Sequence, residues 1–82
     1  MVRVVIPSGL ASQFTGGVRE IDVTGTTVRE LIRDLESRYP GIGRVLTEEM
    51  AVAIDGEIFQ APMLEPVNED SEIFFLLQIG GG

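Results

Sequence analysis

The segment TTVRELIRDLESRY at residues 26–39 carries the strongest secondary-structure signal in the chain. Thr27 followed by Glu30 forms a capping-box pattern, which predicts that a helix begins there. Pro40-Gly41 then ends the helix, because proline lacks the N–H and moves the preceding residue out of the α region. Apolar residues recur at i, i+3, i+4 and i+7, at Val28, Leu31, Ile32 and Leu35. This amphipathic helix requires a sheet on which to pack its apolar stripe.

Two segments before this helix have the alternating pattern of β-strands. VRVVIP at residues 2–7 and VREIDV at residues 18–23 place apolar side chains at every second position. The segment between them, SGLASQFTGG, is rich in Ser, Gly and Thr, and Gly16-Gly17 suits a tight reversal. We therefore predict a loop that joins two antiparallel strands.

The second half of the chain predicts a hairpin and a final strand. IGRVLTEE at residues 42–49 predicts a short second helical turn. MAVAIDGEIF at residues 50–59 predicts a hairpin with Asp55-Gly56 as a type I′ turn. The proline-rich residues 60–72 predict a loop. IFFLLQI at residues 73–79 is apolar almost throughout, which predicts a central strand covered on both faces.

The order of these elements predicts an α+β fold of the ubiquitin-like β-grasp type. This fold is a mixed sheet of four to five strands with one main helix packed on one face. A chain of 82 residues with 44% hydrophobic residues is the size of one domain with one core. We assign residues 1–79 to the β-grasp domain and residues 80–82 to a flexible C-terminal glycine tail.

Composition excludes several functions. Without cysteine, the chain forms neither disulfides nor thiolate zinc sites and carries no persulfide. Without histidine as well, it lacks the usual general base and thiol nucleophile, so we do not expect an enzyme. The adjacent carboxylates Glu48-Glu49 and Glu69-Asp70 do not have EF-hand spacing. We interpret them as solvated surface and predict no metal site.

The chain is acidic, with 13 Asp and Glu against six basic residues, all arginine, for a formal net charge of -7. This charge disfavours nucleic-acid binding and attracts a basic patch on a partner protein. The sequence shows no secretory signal and no apolar run long enough to span a bilayer. We expect a cytoplasmic protein without membrane contact.

The last nine residues, FFLLQIGGG, end an apolar strand in three glycines. Residues without Cβ suit a chain terminus that threads a narrow channel into an active site. With this ending, the whole chain resembles the ubiquitin-like sulfur carrier family of the MoaD and ThiS type. IPSGLASQFTGG followed by LIRDLESRYPGIGRVL is similar to the branch whose carrier works with a cysteine synthase.

The resemblance implies a specific chemistry at Gly82. A ubiquitin-activating-like adenylyltransferase would adenylate the Gly82 carboxylate with ATP and Mg²⁺, and a sulfur donor protein would convert it to a thiocarboxylate. Gly80 and Gly81 would thread into the partner active sites, and the carrier itself would bind no cofactor. The resemblance to the family is weaker in the tail, where Ile79 precedes an extra glycine. Cysteine, molybdopterin, thiamine and tRNA thiolation therefore all stay open as pathways, with a cysteine synthase or the molybdopterin synthase large subunit as candidate acceptor enzymes.

Two other functions share part of this pattern. A ubiquitin-like protein modifier would pass Gly82 to lysines of target proteins, and a plain binding module would use the sheet without terminal chemistry. The resemblance implies a partner surface on the exposed face of the sheet next to the tail. We name Arg3 and Phe14 as candidate contacts, with core or loop packing as the alternative role of Phe14. Oligomeric state and cleavage from a precursor stay open.

Overall fold

A computed structural model describes residues 1–60 and 62–77 of the chain. Within these residues it contains five strands and three helices. In chain order they are β1 (Val2–Val5), α1 (Ser8–Phe14), β2 (Glu20–Val23), α2 (Val28–Arg38), α3 (Ile42–Glu48), β3 (Met50–Ile54), β4 (Glu57–Phe59) and β5 (Ile73–Leu77).

The five strands form one mixed sheet in the order β2-β1-β5-β3-β4. The last strand in sequence, β5, lies at the centre, parallel to β1 and antiparallel to β3. The two outer pairs, β1 with β2 and β3 with β4, are antiparallel. The predicted α+β β-grasp architecture is confirmed, as are the antiparallel first pair and the interior position of the final strand.

Helix α2 begins where its capping pattern predicts. The Thr27 hydroxyl accepts a hydrogen bond from the Glu30 backbone N–H at 3.4 Å. The Glu30 carboxylate, however, accepts from the N–H of Thr26 at 2.8 Å, one residue before the position that a standard capping box uses. The Val28 N–H, at the first position of the helix, donates to the Glu65 carbonyl at 3.1 Å. The predicted loop at residues 60–72 is thus attached to the first turn of α2.

The core lies between the sheet and the three helices. The apolar stripe of α2 is buried, and so are apolar residues of α1, α3 and the inward-facing positions of the strands. Its largest fully buried side chains are Phe75, Ile6, Leu31, Leu35, Ile42, Leu46, Ile73, Val4, Val23, Val28 and Val52. Since all three helices contribute to this one core, they cover a single face of the sheet.

The prediction of a loop at residues 8–17 is wrong, because Ser8–Phe14 form helix α1. Leu10 and Ala11 of this helix are buried in the core, and their burial overrides the low helix propensity of the Ser and Gly residues around them. The expected reversal is shorter and lies after the helix, where Gly16 and Gly17 have φ values of 67° and 97°.

The prediction that β5 is covered on both faces is also wrong. Phe75 is 2% exposed, whereas its neighbour Phe74 is 42% exposed on the opposite face. Leu76, on the same face as Phe74, is only partly buried. An apolar run does not distinguish a strand buried on both faces from one whose second face is apolar and open. The helices leave this second face uncovered.

Candidate functional site

One row of side chains crosses the uncovered face of the sheet from edge to edge. The strand registers pair Val5 with both Glu20 and Phe74, Phe74 with Ala53, and Ala53 with Ile58. Paired residues on neighbouring strands project from the same face. Phe74 and Ile58 are 42% and 61% exposed, respectively. We call this uncovered surface the open face.

The open face divides into an apolar and a charged half. Leu76 on β5 pairs with Ala51 on β3, which extends the apolar half alongside the row through Phe74. On the other side, Arg3 of β1 pairs with Asp22 of β2. Large exposed apolar side chains beside charged ones are typical of a protein-binding surface.

Arg3 lies on the charged half with its guanidinium between two carboxylates. Its Nε atom is 3.2 Å from Asp22 Oδ1, and its Nη1 atom is 3.6 Å from Glu20 Oε1. The side chain is 62% exposed, and ion pairs in water contribute little to stability. These contacts therefore mainly hold the guanidinium on the open face, and its contact with a partner stays a prediction.

Phe14 lies on the other side of the domain. It is half-buried at the end of α1 and packs against the core, which is the alternative role predicted for this residue. Its ring contacts the loop before α3, where a Cβ at Gly41 would lie 3.2 Å from Phe14 Cε1. The structure therefore does not bring Phe14 and Arg3 together, and a contact between Phe14 and a partner stays a prediction.

The C-terminal end of β5 lies at one edge of the open face. Leu77 pairs with Met50, and two shallow cavities of about 210 and 290 Å³ meet at Leu77 and Pro7. Leu76 and Val5 line the smaller one, so it continues onto the open face. A chain that continues from Leu77 thus starts beside the apolar half.

Comparison with known proteins identifies the family. The ThiS family matches residues 11–82, which include the end of β5 and the glycine tail. The chain belongs to the ThiS family. It is a sulfur carrier of the ThiS/MoaD type, and the resemblance found in the sequence is confirmed. A search of curated proteins gave no match.

Two solved structures have the fold of this ThiS family member. A chain in the crystal structure of the Amycolatopsis orientalis BexX/CysO complex matches with 29% identity and a TM-score of 0.85. The match covers 100% of this chain and 100% of that chain. Mycobacterium tuberculosis CysO, an antigen, matches with 24% identity and a TM-score of 0.82, and covers 94% of this chain and 98% of that chain. The second match supports the fold alone.

The residues with the predicted terminal chemistry, Gly80, Gly81 and Gly82, lie outside the described residues, so their assigned roles stay predictions. Among residues 1–60 and 62–77, no group of three or more acidic side chains is placed to hold a metal ion. No helix in the same part of the chain has the length and apolar character that a membrane span requires.

The sequence did not predict that Glu36 of α2 binds the backbone at the start of α3. Its carboxylate oxygens accept backbone hydrogen bonds from Gly41 at 2.9 Å and Gly43 at 2.8 Å. Both bonds lower the pKa of the Glu36 carboxyl below its ordinary value, and the bond from Gly41 has the larger effect. The two glycines after Pro40 were the available signal, since an acidic side chain can reach N–H groups across so short a connection.

Proposed function

We propose that this chain carries sulfur as a thiocarboxylate on Gly82. The observation that carries the proposal is the ThiS family match, which extends through residues 80–82. The position of β5 supports it, since the strand that leads to the tail ends at the edge of the open face. A partner bound to that face would receive the tail directly.

The proposed chemistry takes place in partner enzymes. A terminal carboxyl has a pKa of about 3.3 to 3.7, so Gly82 would be an anion at neutral pH and a poor acyl group. One carboxylate oxygen would attack the α-phosphorus of ATP, and pyrophosphate would leave. A sulfide equivalent from the sulfur donor would then attack the carbonyl carbon, and AMP would leave with the oxygen that it had bonded. The adenylyltransferase would bind and use the ATP and Mg²⁺.

The carrier's contribution would be binding and delivery. Phe74, Ile58 and Val5 would bury apolar area against each partner, and Arg3 would orient the complex through its charge. Gly80 and Gly81 would thread the tail into the active site, where a Cβ would obstruct the channel. Because ordering a glycine tail costs conformational entropy, the open face must provide most of the affinity.

We propose three cytoplasmic protein partners: the ubiquitin-activating-like adenylyltransferase, the sulfur donor and a sulfur acceptor enzyme. The BexX/CysO complex supports a direct carrier-to-acceptor contact, because the CysO in that structure is 29% identical to this chain. A cysteine synthase is our preferred acceptor, with the molybdopterin synthase large subunit and the thiamine and tRNA thiolation enzymes as the other candidates.

Pyrophosphate exchange tests the activation step. The full chain, the adenylyltransferase from the same cells and ATP should exchange labelled pyrophosphate into ATP. A variant that lacks Gly81 and Gly82 should fold normally and support no exchange. Equal exchange with the truncated variant would contradict adenylation at Gly82. Conjugates of the chain with lysines of other proteins would instead favour the ubiquitin-like modifier.

A further inference from the structure

A second concave surface lies on the helical side of the domain. It runs between α2 and α3 and has a volume of about 410 Å³. We call it the α2–α3 groove. Its lining includes Arg29, Ile32 and Arg33 from α2, Gly43 and Arg44 from α3, and Met63 from the segment between β4 and β5. Since the helices cover the inner face of the sheet, this groove faces away from the open face.

Two arginines of the groove have no ion-pair partner in the described part of the chain. Arg29 and Arg33 are exposed and stand four residues apart, so both project from the same side of α2. Within residues 1–60 and 62–77, neither side chain forms an ion pair, and neither does Arg19, whereas Arg3, Arg38 and Arg44 each pair with a carboxylate. This pattern stands out in a chain whose net charge is -7.

The carboxylates that line the same groove already have partners. Glu36 accepts the N–H groups of Gly41 and Gly43, and Glu48 lies 3.4 Å from Arg44 Nε. Both carboxylates keep their negative charge, so the three arginines of the lining exceed its two glutamates by one positive charge. The groove is thus a local positive site on an acidic protein.

Helix stability accounts for only part of this arrangement, since Arg33 attracts the Glu30 carboxylate on the same helix whereas Arg29 and Arg33 repel each other. Like charges four residues apart repel each other and destabilise a helix. An exposed position tolerates glutamine or glutamate in place of either arginine, and a carboxylate four residues from an arginine would form a favourable pair instead. A bound anionic group would offset the repulsion.

We propose that the α2–α3 groove binds an acidic segment of a partner protein. Carboxylates of that segment would pair with Arg29 and Arg33, since guanidinium groups bind carboxylates through paired N–H donors. An apolar side chain between those carboxylates would contact Met63, which is only partly buried. Charge complementarity selects a peptide rich in Asp or Glu, and the groove's position leaves the open face accessible to another protein at the same time.

A peptide titration followed by NMR tests the proposal on the ¹⁵N-labelled full chain. The probe is a blocked peptide with two glutamates on each side of one leucine. It should shift the amide signals of Arg29, Arg33, Gly43 and Arg44, and the shifts should weaken as salt concentration rises. The double variant Arg29→Gln/Arg33→Gln should bind about tenfold more weakly or worse, as expected for the loss of charge-assisted hydrogen bonds.

Two controls make the result decisive. Arg3→Gln removes an arginine from the open face and should leave peptide affinity unchanged, and a peptide with glutamine in place of glutamate should not bind. Equal binding by the double variant, or shifts confined to the open face, would overturn the proposal. Tighter binding of inorganic phosphate or of a DNA oligomer at the same residues would also overturn it, because the site would then not be one for a protein segment. The signal dispersion of each spectrum verifies folding.

Discussion

Glu36 on α2 and Gly43 on α3 are joined by a hydrogen bond of 2.8 Å from the glycine N–H to Glu36 Oε1. The bond holds the first turn of α3 against α2 and places a carboxylate at N–H groups that have no partner within the helix. A Cβ at Gly43 would lie 2.8 Å from the same oxygen, so only glycine lets the carboxylate approach this closely.

Gly43→Ala is expected to destabilise the protein, because the added methyl group displaces the Glu36 carboxylate from both N–H groups. The measurement is the urea midpoint of unfolding, which should fall. Gly9→Ala in α1 is the matched control, since a Cβ there meets nothing within 4 Å. That control should raise stability by about 0.5–1 kcal/mol through helix propensity. A fall in both midpoints would contradict the role given to Glu36.

The low pKa of Glu36 predicts a pH-dependent contribution to stability. Hydrogen bonds from Gly41 and Gly43 lower the folded-state pKa from its ordinary value of 4.5. Stability from this group is therefore fully present above pH 4.5 and is lost as pH falls through the lower folded-state pKa. Urea unfolding of the wild type and of Glu36→Gln from pH 6 to pH 3 should give a stability difference that shrinks at the acid end. A constant difference would contradict the assignment.

The contact between Phe14 and Gly41 predicts a graded effect of alanine at two glycines. Gly41 has a φ of 100° and Gly16 a φ of 67°, so alanine strains the backbone at either position by about 1–2 kcal/mol. Only at Gly41 would the new Cβ also press on Phe14, at 3.2 Å. Chemical denaturation should show a larger loss for Gly41→Ala than for Gly16→Ala. Equal losses would show that Phe14 moves aside at no cost.

The neighbouring phenylalanines of β5 should separate binding from stability. Phe75 is 2% exposed, so Phe75→Ala should cost about 3–5 kcal/mol of unfolding free energy. Phe74 is 42% exposed on the open face, so Phe74→Ala should cost much less stability and weaken binding to the adenylyltransferase about tenfold or more. Calorimetric titration and urea unfolding measure the two effects. Unchanged affinity in Phe74→Ala would exclude the open face as the interface.

Local signals in the sequence predicted the parts of the fold that short-range chemistry determines. Thr27 marked the start of α2, and Asp55-Gly56 marked the hairpin, where both residues have positive φ values of 51° and 86°. Helix α1 was missed because its formation depends on the burial of Leu10 and Ala11 in a core assembled from distant segments. Periodicity alone does not show such contacts.

The candidate site was predictable only in outline. The family resemblance implied a sheet face next to the tail, but which side chains face outward depends on register, and a shift of one residue reverses every assignment. The structure places Phe74 on the open face and Phe75 in the core, although both belong to one apolar run. The α2–α3 groove was not foreseen, because it requires knowing how two helices pack.

The thiocarboxylate at Gly82 is the central claim, and intact mass measurement tests it most directly. The untagged protein should be isolated from its own cells under conditions that prevent hydrolysis, and then fragmented to locate any change. We predict a population in which one oxygen of Gly82 is replaced by sulfur. A carboxylate at Gly82 in every molecule, together with Gly-Gly remnants on lysines of other proteins, would contradict the carrier chemistry and identify a protein modifier.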